Sequence, residues 1–251
     1  MVVASLSIGA VVGVLLSAAF VWVEIGRFAT PQVPETLFDE RREIFAYTAG
    51  LFVGIPLAII YILYQYSMGN GALPGALIFL ALLVGGIELA QWGLLRSSYW
   101  GRTESAPFYA LGYRAAIGGL IALGVVSEYL GASSITVDGV VLAVLEATAI
   151  VGLQVAGALL SLRPKPGSGR TSGGPLSGAI FAAFGFFLLG LGPLGGEVSA
   201  FLGAGIAFLG ALLVYRRLRS TLASIPPPSA GPPLESVKTT ETYGRTRRDR
   251  P

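Results

Sequence analysis

The sequence predicts an all-α, polytopic integral membrane protein with seven transmembrane helices, its N-terminus outside and its C-terminus cytoplasmic. Three observations predict it. The 251 residues are 53% hydrophobic and only 12% charged, where soluble chains carry about 25% Asp, Glu, Lys and Arg. Even a globule of this size needs a charged surface, so burial does not account for the deficit. Seven stretches approach the length of about 20 apolar residues that crosses a hydrocarbon core of about 30 Å. Finally, Lys and Arg fall in alternate connections, the pattern left when cations stay on the cytoplasmic face.

The spans run over residues 2–26, 44–66, 74–95, 107–130, 137–162, 176–192 and 197–215. The first begins without a basic n-region, since only Met1-Val-Val-Ala-Ser precedes its apolar run, and it exceeds a typical signal-peptide core. It reads as a retained helix. The last two form one apolar run, Leu176 to Tyr215, broken by Gly190, Gly192, Pro193, Gly195 and Gly196. Backbone freedom and a missing donor end a helix there, so the run folds into a hairpin at about Pro193.

Orientation follows from the cations. Arg27, Arg41 and Arg42 occupy the first connection, Arg96 and Arg102 the third, and Arg163, Lys165 and Arg170 the fifth. The second, fourth and sixth connections hold none, and eight more follow the last span. Of the 17 Lys and Arg, only Arg114 falls inside a span. Adding or removing one helix would place Arg clusters on both sides.

Between the first two spans, Pro34 to Glu43 reads as a short charged helix, with Leu37, Phe38 and Arg41 along the lipid surface. Trp22, Tyr61, Tyr64, Tyr66, Trp92, Tyr109, Tyr129 and Tyr215 lie near span ends, where amphipathic rings suit the headgroup zone. Glu128, Asp138 and Glu197 edge the outer turns; they read as ordinary charge asymmetry, with a cation-attracting vestibule as the alternative. Residues 222–251 are Pro-rich, polar and basic at the end, and cannot bury a core, so a disordered cytoplasmic tail is expected. That tail reads as solvated, with anionic lipid as its alternative contact.

Ionisable groups at bilayer depth are costly and need a partner or a use. Three qualify: Glu88, Arg114 and Glu146. Glu88 is seven residues before the end of its span and Arg114 seven past the start of the next. Both therefore sit about 10 Å below one boundary, and a structural ion pair between them is expected. Gln91 and Tyr113 would extend it into a polar cluster. Glu146 has no cation at its depth, so it is either protonated and packed, or faces water or an ion. Gln154, eight positions on, shares nearly the same helix face. Glu88, Gln91, Arg114, Glu146 and Gln154 are thus the candidates for a substrate or ion path. Small residues should bring helices close at Gly9 and Gly13, at Gly50 and Gly54, and between Gly85-Gly86 and Gly118-Gly119. Pro56 should kink the second span.

The absence of Cys and His excludes disulfides, thiolate nucleophiles, Ser-His triads, imidazole-ligated haem and nearly every zinc site. Retinal needs a Lys in the last span, and the only lysines, Lys165 and Lys238, lie outside the spans. No Walker loop, Gly-x-Gly-Asp motif or Asp-rich pair occurs, and Pro31-Gln32 falls in a loop, unrepeated. An enzyme is disfavoured, and neither cofactor, metal nor nucleic acid is expected. Two classes remain for a multi-pass protein of the cell membrane. The preferred one is a small transporter or channel-like protein. The alternative is a non-catalytic subunit, scaffold or assembly factor with the tail as its interaction arm. Expected partners are membrane lipids and either a second copy or a membrane complex.

Overall fold

The computed structural model describes residues 12–23, 26, 39–96, 106–131, 136–162 and 175–222, and within them it is all-helical. The helices are α1 (Val12–Val23), α2 (Glu40–Gly69), α3 (Leu73–Arg96), α4 (Ala106–Gly131), α5 (Val137–Ser161), α6 (Pro175–Leu189) and α7 (Gly192–Leu222). Five of them, α2 to α5 and α7, are long and apolar enough to cross a membrane. The expected tail lies outside the described residues except for Leu222, which closes α7. So do Pro34 to Phe38, Gly9 and the basic residues of the fifth connection.

Local chemistry sets the ends. Asp39 caps α2, its Oδ1 accepting from Arg41 N at 2.9 Å. Thr136 caps α5, accepting from Gly139 N at 3.1 Å. Each satisfies an amide that a helix start leaves orphaned. α2 ends in a Schellman turn: Gly71 N donates to Met68 O at 3.0 Å and Ala72 N to Ser67 O at 2.9 Å. Gly71 takes φ 68° there. The α6–α7 hairpin turns through Gly190 and Leu191. Gly196 then interrupts α7 with φ 76° and ψ −169°, backbone that only glycine adopts freely. α6 stops at Leu189, where the turn at Gly190 and Leu191 begins, three residues before the expected 192, and spans about 22 Å.

Two helices form the interior. α4 has no exposed large apolar side chain among its described residues, and the C-terminal half of α5 is equally enclosed. The remaining helices turn large apolar side chains outward, among them Phe52, Ile59, Leu77, Leu82, Phe184 and Leu202. Lipid is the solvent that tolerates such a surface.

Glycines set which helices meet. A Cβ at Gly50 would overlap the Tyr113 carbonyl, and one at Gly54 would press on Leu120, so α2 lies flush on α4. Gly13 and Gly119 meet in the same way, bringing α1 onto α4. Gly118 faces Val151 and Gln154 of α5, and Gly203 lies against the Leu188 carbonyl of α6. Two expectations are corrected here. Gly85-Gly86 and Gly118-Gly119 do not face each other: Gly86 meets Leu57 of α2, and Gly85 meets nothing within 4 Å. Tyr61, Tyr64 and Tyr109 are buried rather than interfacial, because each hydroxyl finds an internal partner. Trp22, Tyr66 and Trp92 are exposed near helix ends, as interfacial anchors should be. Pro56 lies within α2 without ending it.

Candidate polar sites inside the bundle

Glu88 is eight residues before the end of α3, and Arg114 eight after the start of α4. Arg114 Nη2 donates to Glu88 Oε1 at 2.5 Å, and Ser161 Oγ donates to Glu88 Oε2 at 3.1 Å. The Arg114 side chain is fully buried and that of Glu88 is 10% exposed. α3 and α4 otherwise touch little, so this pair is their main link. Glycines make the room: a Cβ at Gly157 would stand 3.0 Å from Arg114 Nη2, and one at Gly178 would overlap Ser161 Oγ. Ser161 is the last residue of α5 and Gly178 the fourth of α6. A pair two turns inside α3 and α4 thus lies at the very ends of α5 and α6.

The cluster is polar beyond the pair. Arg114 Nε and Nη1 have no hydrogen-bond partner among the described residues. The same holds for Gln91 Oε1 and for both amide atoms of Gln154, which is 0% exposed. Gln91 lies one turn from Glu88 on α3. Gln154 lies one turn from Gly157, against Gly118 of α4. Buried polar atoms left without protein partners are costly unless water or a polar ligand reaches them.

Glu146 belongs to a second site. It is 4% exposed and lines a cavity of about 240 Å³ with Gln65 of α2, Leu142 of α5, and Pro193, Gly196 and Glu197 of the α7 entry. Gln65 Nε2 donates to Tyr61 OH at 2.5 Å. Ser199 Oγ lies 2.8 Å from Gly196 O and 3.3 Å from Leu191 O, holding the turn that forms one wall. Thr148 does not join: its hydroxyl donates back to Val144 O at 2.7 Å. Glu146 and Gln154 are about 12 Å apart along α5, so the structure divides the candidates between two sites.

α5 connects them. Glu146, Ile150, Gln154, Gly157 and Ser161 recur at the four-and-three spacing of a single helix face. All are buried, and Ile150 is the apolar member between the acid and the amide.

Comparison with protein-family models, curated proteins and solved structures finds no match.

Sequence reasoning overlooks Ser161, Gln65 and Glu43. Ser161 is signalled only by its place on the Gln154 face. Glu43 reads as part of a surface helix, yet it is 3% exposed in the first turn of α2, and a Cβ at Gly112 would overlap its Oε1. Nearby, Asp39 N donates to Tyr109 OH at 3.2 Å, tying the α2 entry to α4. Among the described residues, no group of three or more Asp or Glu is placed to hold a metal ion.

Proposed function

We propose that this chain is a multi-pass protein of the cell membrane in which all seven helices cross. In this reading the N-terminus is outside and the C-terminus is cytoplasmic. It works as a small transporter or channel-like protein whose polar path follows α5. The reading is carried by one observation: a single buried face of the helix presents Glu146, Gln154 and Ser161. These span about 22 Å, from the Glu146 cavity to the Glu88–Arg114 pair. Buried ionisable groups facing a bundle interior mark ion and substrate routes. In this reading Ile150, buried between the two polar ends, serves as the constriction, and hydrophobic constrictions gate by excluding water.

The test is flux in proteoliposomes, with protons and potassium as probes. Glu146→Gln is expected to fold, judged by an unchanged elution profile and melting temperature, and to abolish the flux or its pH dependence. Ile150→Ser is expected to increase the flux. A scaffold would behave differently: Glu146→Gln would be silent, and deletion of residues 222–251 would lose a partner in pull-down.

A further inference from the structure

A wide apolar groove among the described residues has no part in the polar path. It holds about 490 Å³ between α1, α5 and α7, walled by Leu16 and Phe20, Val151 and Val155, and Phe208 and Leu212. Its lining is almost entirely apolar. Thr148, one of two hydroxyl-bearing residues there, donates its own hydroxyl back to Val144 O. Gly152 keeps the floor low, since a Cβ there would stand 3.2 Å from the Ala211 methyl. At one end Phe20 and Tyr215 meet edge to face, their centroids 5.7 Å apart.

That end is also the charged end. Phe208, Leu212 and residue 216 lie on one row of α7, four residues apart. The next member after the apolar wall is therefore the exposed Arg216, followed by Arg217. Across the groove, Trp22 is 78% exposed beside Val23, the placement of an interfacial aromatic. An apolar slot thus ends one helical turn short of an exposed cation. That combination fits an amphiphile with an apolar chain and an anionic head.

We propose that the groove between α1, α5 and α7 binds an anionic phospholipid, one acyl chain lying along Phe208 and Leu212 and the phosphate meeting Arg216. The lipid belongs to the leaflet into which the C-terminal end of α7 leads. The site is independent of the path along α5 and stands whether or not the protein transports anything.

Native mass spectrometry of delipidated full-length protein, titrated with phosphatidylglycerol or phosphatidylcholine, tests it. One phosphatidylglycerol should bind the wild type at least about fivefold more tightly than phosphatidylcholine, the preference that one cation at an anionic headgroup supplies. Arg216→Gln should erase that preference and leave phosphatidylcholine binding unchanged. Ala19→Phe, at an exposed position lining the groove, should fill the slot and remove both lipids at an unaltered melting temperature. Leu212→Trp is the second filling variant should the first fail to fold. Equal binding of the two lipids, or undiminished binding to both filling variants, overturns the proposal. So does a wild-type dimer that retains no lipid and dissociates on filling, since a second copy would then be the occupant.

Discussion

Arg114 is among the largest fully buried side chains of the described residues. It is fully buried, and Glu88 is the one charge that compensates it among the described residues. Removing one member of such a pair strands the other. Arg114→Met is therefore expected to destabilise the protein by about 3 kcal/mol or more, seen as a lowered melting temperature in detergent. The reciprocal swap Glu88→Arg with Arg114→Glu should recover part of that loss. If single and double variants melt alike, the pair contributes nothing. The level of these two residues is legible in the sequence, because counting from span ends at 1.5 Å per residue needs only approximate boundaries. Ser161 is not legible in this way. A lone serine at a helix end carries no signal until α3 folds back beside it. Glu43 misleads for a related reason: it sits among exposed charges in sequence, and only the notch at Gly112 takes it inside.

At the scale of elements, helix starts and stops are written locally. Asp39, Thr136, Gly71 and Gly196 each act through their own backbone neighbourhood, so the hairpin near Pro193 and the α2–α3 turn can be read from the chain. Helix neighbours cannot. Adjacency in sequence favours α3 against α4, whereas α4 lies chiefly on α2 and α5, where Gly50, Gly54 and Gly118 remove the side chains that would hold the backbones apart. The same glycines yield a contrast that can be measured. Gly178→Val inserts carbon atoms against Ser161 Oγ and the Gly157 carbonyl, and overpacking of this kind costs about 1–3 kcal/mol. Gly85→Ala enters open space and removes a flexible helix position, so it should be neutral or stabilising by up to about 1 kcal/mol. Melting temperatures that fall equally for both would contradict this packing.

For the molecule as a whole, the decisive property is which face of the membrane each end meets. Tags at both termini, probed on intact cells with an impermeant label, should react at the N-terminus alone. Labelling of the C-terminal tag, or of both, would reverse or remove the proposed orientation. The apolar composition makes membrane residence legible, since 53% hydrophobic residues leave outward-facing Phe, Ile and Leu on most of the helices. Which of the spans form the interior is only partly legible: Arg114 singles out α4, whereas α5 is as apolar as the outward-facing α2 and α3.

The enclosed position of α4 bears on how the chain is made. Its most apolar stretch has a mean hydropathy of 1.5, against 2.0 or 2.1 for the other four long helices, and among the described residues it alone buries an arginine. Emerging from the ribosome, α4 is a poor candidate for release into lipid by itself. Synthesised earlier, α3 carries Glu88, the counter-charge that Arg114 meets in the folded bundle. Insertion of α4 is therefore expected to depend on α3, and Glu88→Ala should lower the insertion of α4 in a glycosylation-tag assay.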